Sequence, residues 1–169
     1  SNFRLYRPDW SHMGLFGAVR DSEITDLTVS PGHVITAGET AGILAGSVQD
    51  SVIRNVAVAG ALKTAGNTGG IAGEIAGTVV ENCTADHVAM DLGKGKETFA
   101  GGITGKAAGS VISDCTVNTG DSLNARIQGG GYVGGITGFQ NDTDIFNAHV
   151  MGTIGGSGSQ AIGGVTGKY

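Results

Sequence analysis

The sequence predicts an all-β chain that folds as a parallel β-solenoid of about five coils, with a period near thirty residues. Three observations support this class. Glycine makes up 32 of the 169 residues, and each glycine inside a helix costs about 1 kcal/mol relative to alanine, so a helical bundle is disfavoured. Hydrophobic residues account for 40% and charged residues for only 15%, a balance typical of a folded chain rather than a disordered one. The third observation is an internal repeat.

Six short glycine phrases define the repeat. Each phrase ends in an anchor glycine, and consecutive anchors stand 27 to 33 residues apart. The anchors are Gly17, Gly46, Gly73, Gly105, Gly138 and Gly167.

Equivalent positions after the anchor carry the same residue types in five copies. The seventh position is aliphatic: Ile24, Ile53, Val80, Ile112 and Ile145. The tenth is apolar: Leu27, Val56, Cys83, Cys115 and Ala148. The twelfth is apolar as well: Val29, Val58, Ala85, Val117 and Val150. Because the tenth and twelfth positions are separated by one residue that is most often threonine, they predict a strand with one face toward the core.

Three polar columns follow the anchor, and two of them predict the corners of the coil. The ninth position holds Asp26, Asn55, Asn82, Asp114 and Asn147. The fourth holds Asp21, Asp50, Gly77, Gly109 and Asp142. Asp and Asn tolerate the left-handed conformation, and exchange of Asp with Gly is typical of a turn residue with positive φ. The fifth holds a hydroxyl residue, which predicts a hydrogen-bonding ladder: Ser22, Ser51, Thr78, Ser110 and Thr143.

One unit of the repeat is too small to fold alone. It is predicted to contain three short apolar strands and two or more corners, so neighbouring units must stack to bury a face. Glycines are expected at the anchor corner because a Cβ there would crowd the equivalent residues in the coils above and below.

The glycine phrases also resemble a known repeat. Gly14-Leu15-Phe16-Gly17 and Gly70-Ile71-Ala72-Gly73 are similar to the GLUG motif, and the resemblance covers residues 13 to 167. It implies a bacterial surface or secreted protein, such as the region upstream of the catalytic domain of IgA-specific metallopeptidases or a large adhesin-like protein. The motif residues of that repeat are structural. The HExxH helix of the peptidases is absent from this sequence, so the resemblance does not extend to their activity.

The sequence divides into an N-terminal cap over residues 1–16 and GLUG-like repeats over residues 17–169, expected to be part of a longer chain. The cap is predicted because four of the aromatic residues precede the regular columns. The phrase ending at Gly167 begins a sixth unit or, alternatively, supplies a final edge strand. The period stretches between Asp86 and Ala100, which predicts a surface loop there.

Charge and hydropathy exclude several partners. Ten basic and fifteen acidic residues give a net charge of −5, the wrong sign for binding nucleic acid. No stretch approaches 18 consecutive apolar residues, so membrane insertion is not expected. No signal peptide opens the chain, and any export signal is expected to lie outside it.

The sequence predicts no catalytic residue, no cofactor and no metal site. Asp21 and Asp50 would stand about 5 Å apart in adjacent coils, near the spacing of a retaining glycosidase pair, but Gly77 and Gly109 in the same column favour a turn. The stretch 141–144 offers two carboxylates, too few for a Ca²⁺ ion that takes six to eight oxygens. The hydroxyl column has no histidine at a fixed offset that could act as its base.

Cys83 and Cys115 share the tenth column, which places their Cα atoms about 4.8 Å apart in adjacent coils. That distance allows a disulfide, but parallel side chains would keep the Cβ atoms farther apart than a disulfide prefers. We therefore expect two buried, reduced thiols in contact, with a disulfide as the alternative.

Three hypotheses for function remain. The first is a non-catalytic structural or interaction module of a secreted or cell-surface bacterial protein, whose partners are the flanking domains of its parent chain. The second is an adhesin-like solenoid that binds carbohydrate or a host glycoprotein. The residues proposed for its groove are Thr28, Thr84, Thr116, Lys94, Lys96, Tyr132 and Phe139. The third, a polysaccharide lyase or hydrolase, requires acidic and basic side chains clustered on one exposed sheet face.

Overall fold

The computed structural model describes residues 6–7, 9–30, 35–92, 97–120, 126–128, 131–156 and 159–169. It confirms the predicted class. The described chain contains strands and no helix, and its coils stack into a parallel β-solenoid of about five turns with a period of about 29 residues. Strands of consecutive coils pair in parallel and in register, as Ala45, Ala72 and Thr104 do.

Each coil passes through four sheets, numbered I to IV along the chain from the anchor glycine. Sheet I contains Phe16–Arg20, Ala45–Gln49, Ala72–Ala76, Thr104–Ala108, Thr137–Asn141 and Thr166–Lys168. Sheet II contains Glu23–Thr25, Val52–Arg54, Val79–Glu81, Val111–Ser113 and Asp144–Phe146. Sheet III contains Tyr6–Arg7, Thr28–Val29, Ile35–Ala37, Ala57–Thr64, Thr84–Leu92, Thr116–Asn118, Arg126–Gln128, His149–Met151 and Thr153–Ile154. Sheet IV contains Thr40–Gly42, Asn67–Gly69, Phe99–Gly101, Tyr132–Gly134 and Ala161–Gly163.

The prediction of three strands per unit was therefore too low, because sheet IV was missed. Its strands do not show the alternation of a half-buried strand. In the third coil, residues 68–73 are all buried, since sheets IV and I pack closely where the glycine phrase joins them. A run buried on both faces has no period of two for sequence analysis to detect.

Both predicted corners are confirmed. All five residues of the fourth position have φ between +47° and +56°, and all five of the ninth have φ between +51° and +54°. Left-handed backbone is costly for most L-residues but is tolerated by Gly, Asn and Asp. The residue types in these columns thus follow from the backbone of the turn.

The apolar columns form one continuous core. Ile53, Val80 and Ile112 of the seventh position are completely buried, as are both cysteines of the tenth. The end coils are less covered. In one column of the glycine phrase, Leu44, Ile71, Ile103 and Ile136 are fully buried, whereas Leu15 of the first coil is 42% exposed and Val165 of the last is 44% exposed. Burial of a column thus depends on having a coil on each side.

The glycines allow backbones to approach closely, as predicted. A Cβ added to the anchor Gly105 would lie 2.8 Å from the carbonyl oxygen of Gly73, its equivalent in the preceding coil. The anchor glycines have a second neighbour that was not predicted. A Cβ on Gly105 would lie 2.5 Å from the backbone nitrogen of Thr68 in sheet IV. Sheet IV packs directly on sheet I at this column because no side chain intervenes.

The predicted loop from Asp86 to Ala100 was too long. The sheet III strand continues to Leu92, and the next strand begins at Phe99. One extra residue is absorbed by an irregularity in pairing between Asp86 and Val88, where His87 has a φ of +50°, as expected of a bulge. The rest of the added length falls between Leu92 and Phe99, and residues 93–96 lie outside the described part of the chain.

The N-terminal segment follows the path of a partial coil where it is described. Tyr6–Arg7 pairs with Ile35–Ala37 in sheet III, Met13 forms a bridge with Ala41 of sheet IV, and Phe16 begins the first strand of sheet I. Met13 is buried. That residues 1–16 act as a cap stays a prediction. At the other end, Thr166–Lys168 pairs with Thr137–Asn141.

Candidate functional site

The carboxylates and amides of the ninth position form a ladder along one edge of the solenoid. The Asn55 side chain donates to Asp26 Oδ1 at 2.9 Å, and Asn82 donates to Asn55 Oδ1 at 2.7 Å. Farther along, Asn147 donates to Asp114 Oδ1 at 3.1 Å. These side chains connect corners of consecutive coils, which together with the left-handed backbone explains why Asp and Asn recur there.

The hydroxyl column is used in the same way. Each hydroxyl donates to the carbonyl two residues earlier, as Ser51 does to Gln49 at 2.6 Å and Ser110 does to Ala108 at 2.8 Å. Two of the hydroxyls also accept a backbone hydrogen bond from the adjacent coil: Ser51 Oγ from the amide of Ser22, and Ser110 Oγ from that of Thr78. The predicted hydrogen-bonding ladder is therefore present at two of the four steps between coils.

The paired acids considered in the sequence lie at corners. Asp21 and Asp50 both have positive φ, as Gly77 does in the next coil. The turn that they form accounts for the column, as predicted. Asp142 of the stretch 141–144 occupies the same corner, where the Thr143 hydroxyl donates to the carbonyl of Asn141.

Acidic and basic side chains do cluster on the outer face of sheet II. Arg54 donates to Glu81 at 2.8 Å and to Glu23 at 3.3 Å, so the guanidinium joins three coils. The Arg54 guanidinium lies between the two carboxylates and is hydrogen-bonded to both. All three side chains are largely exposed, and exposed pairs of this kind contribute little to stability.

None of the described histidines belongs to a group of three or more potential metal ligands. His87 lies 2.8 Å from Asp86 through its Nδ1 atom. Within the ranges that the structure describes, no three His, Cys, Asp or Glu side chains are grouped so that they could hold a metal ion.

A cleft of about 240 Å³ lies on the outer face of sheet I. Its polar lining comes from Ser47, Gln49, Glu74 and Lys106. These residues belong to two outward columns of sheet I, and the space exists because the column of Gln49 continues with small alanines. Glu74 accepts a hydrogen bond of 2.6 Å from the side chain of Asn67 in sheet IV. Sequence reasoning missed this cleft, since its residues share no motif.

Three aromatic rings lie next to the cleft, farther along the axis. Phe99 stacks on Tyr132 with ring centroids 5.5 Å apart, and it packs against Phe139 at 5.2 Å. The ammonium of Lys168 lies 4.7 Å from the centre of the Tyr132 ring, close enough for a cation–π interaction. The Tyr132 hydroxyl is 2.8 Å from Gln160 Oε1.

The groove proposed from the sequence is therefore only partly assembled. Tyr132 and Phe139 each pack against the Phe99 ring. Phe99 was not among the residues proposed from the sequence. The threonine column lies on sheet III instead, with Thr28, Thr84 and Thr116 in register, so it does not join the aromatic rings. Lys94 and Lys96 lie outside the described residues.

Comparison with known proteins identified no relative of this chain. A scan against known protein families found none that matches this chain, and a search of curated proteins found no match either. The resemblance to GLUG repeats stays a prediction. The described residues include no helix of the length and apolarity that a membrane span requires.

Proposed function

We propose that the chain is a non-catalytic structural or interaction module of a secreted or cell-surface bacterial protein, which holds neighbouring domains such as an IgA-protease-like catalytic domain at a fixed spacing. The observation that supports this proposal most is that the polar residues of the repeat form hydrogen bonds within the solenoid. The corner acids and amides and the hydroxyl column are engaged in hydrogen bonds between or within coils. Bonds of this kind hold each coil to its neighbour, and a stack of repeats is stabilised by such nearest-neighbour contacts.

Surface labelling tests the cellular location. An antibody raised against the purified chain is expected to label intact, unpermeabilised cells of the source bacterium or to detect the protein in the culture medium. Signal found only after lysis would contradict an extracellular role.

Replacement tests the mechanical role. Exchanging residues 17–169 in the parent protein for an unrelated solenoid of similar length is expected to preserve the activity of the flanking domains, whereas deleting the segment is expected to reduce it. If the unrelated solenoid fails as badly as the deletion, the surface of this chain does more than hold its neighbours apart.

A carbohydrate or a host glycoprotein is the second candidate, as the partner of an adhesin-like surface. The observation that favours it is the cleft on sheet I beside the Phe99, Tyr132 and Phe139 rings. Aromatic faces next to hydrogen-bonding side chains are typical of sites for small polar ligands.

A further inference from the structure

The outward columns of sheets I and IV form a continuous surface that we call the lysine–aromatic surface. Its members are Lys106, Phe139 and Lys168 on successive strands of sheet I, with Phe99 and Tyr132 on successive strands of sheet IV. Phe99 contacts both other rings. The aromatic side chains therefore pack as a group with a lysine on either side of Phe139.

The two lysines bring positive charge to a protein of net charge −5. Among the described residues, neither forms an ion pair with a carboxylate, in contrast to Arg54, which holds two. Lys168 instead lies over the Tyr132 ring and 6.0 Å from the centre of the Phe139 ring. Both ammonium groups remain available to an anionic ligand.

The lysine–aromatic surface is continuous with the cleft. Lys106 belongs to both, and the same column of sheet I runs from Ser47 through Glu74 to Lys106, Phe139 and Lys168. Four strand spacings separate its ends, a length of about 19 Å along the axis. The shape fits an elongated ligand that lies along the solenoid.

We propose that this surface binds an anionic glycan whose sugars carry carboxylate or sulfate groups, a site that rests on the second candidate function above. The ammonium groups of Lys106 and Lys168 pair with the acidic groups. The exposed parts of the rings pack against the apolar faces of the sugars.

The cleft favours a sugar over an acidic peptide. Ser47 and Gln49 can both donate and accept hydrogen bonds, and the Glu74 carboxylate accepts them from hydroxyl groups. An acidic peptide has few hydroxyl groups to offer to these side chains.

The test is a glycan array with uronate-containing, sialylated, sulfated and neutral oligosaccharides, followed by titration calorimetry with a hexamer of galacturonic acid and with maltohexaose. We expect binding of acidic glycans that weakens as salt is added. The double variant K106A/K168A is expected to lower affinity at least about tenfold. F139L, which keeps an apolar side chain but removes the ring, is expected to lower it by a smaller factor.

Lys63 provides a control for the loss of a lysine elsewhere on the surface, to be compared with K106A and K168A singly as well as with the double variant. It is an exposed lysine on sheet III, so K63A is expected to bind as the unchanged chain does. Circular dichroism of every variant establishes that the fold is intact. If K63A lost as much affinity as K106A/K168A, the loss would be explained by net charge alone, and the proposed binding site would be wrong.

Three other outcomes would overturn the proposal. These are binding of maltohexaose as tight as that of the galacturonate hexamer, binding of poly-glutamate in preference to every glycan, and no binding of any array glycan at millimolar concentration. None of them affects the proposed structural role, because surface labelling and solenoid replacement do not depend on a ligand.

Discussion

Cys83 and Cys115 lie one above the other in consecutive coils of the same inward-facing column, and both side chains are completely buried. Each thiol donates to the carbonyl two residues earlier, Cys83 to Glu81 at 3.2 Å and Cys115 to Ser113 at 3.1 Å. Neither forms a disulfide. The neighbouring Cys83 side chain, together with burial, raises the pKa of the Cys115 thiol well above its usual value.

We predict that both thiols are reduced and unreactive in the folded protein. Thiol counting in denaturant without reductant should find two per chain. In native buffer at neutral pH, a thiol reagent should react slowly, because the sulfurs are buried and the thiolate of Cys115 is disfavoured. A count of zero in denaturant would mean that the coils are joined by a disulfide, and rapid native labelling would mean that the column faces solvent.

Substitutions at Gly109 measure how much the left-handed backbone of the corner costs in free energy of unfolding, without a steric clash. Its φ is +53°, and a Cβ added there would meet nothing within 4 Å. Gly109→Ala should therefore lower the free energy of unfolding by about 1 kcal/mol through backbone strain. Gly109→Asp should cost less, because Asp occupies the equivalent corner at Asp21, Asp50 and Asp142. Urea denaturation measures both, and an aspartate variant less stable than the alanine variant would contradict this account.

Alanine substitutions at Gly70 and Gly164 test whether glycine is needed because a Cβ would clash with the adjacent coil. They occupy the same column, but a Cβ on Gly70 would lie 2.2 Å from the carbonyl oxygen of Gly102, whereas one on Gly164 would meet nothing within 4 Å. Gly70→Ala should destabilise the fold by about 3 kcal/mol or more, as overpacking of rigid backbone does. Gly164→Ala should be nearly neutral. Thermal unfolding of the two variants compares them, and equal losses would argue against crowding as the reason for glycine.

Removing one coil tests the modular character of the solenoid. Deleting residues 47–73 joins Gly46 to Glu74, which is the in-register partner of Ser47. The shortened chain should fold and keep its β-type circular dichroism, with a lower denaturation midpoint because one interface between coils is lost. A shortened chain that is unfolded even at low temperature would show that the coils do not stack as independent neighbours.

The candidate binding surface was only partly accessible from the sequence. Tyr132 and Phe139 were identified, but Phe99, which packs against both, lies in the preceding coil and follows the region where the period is irregular. Ser47, Glu74 and Lys106 share no residue type, so their column does not appear as a pattern. They line one cleft because parallel pairing in register places them on successive strands.

The sequence by itself determined the period, the two corners and the buried columns, because each depends on local conformation or on alternation within one unit. Asp, Asn or Gly at a left-handed position and Ile or Val at the seventh position recur in five copies, so comparison of the copies is enough to recognise them. Only the tertiary structure decided the fourth sheet, the bulge at His87 and the extension of sheet III to Leu92. Sheet IV depends on its contact with sheet I, where residues are buried on both faces and the local pattern no longer distinguishes inside from outside. The bulge and the extension depend on pairing with Ala57–Thr64 of the neighbouring coil, which no single unit of the sequence contains.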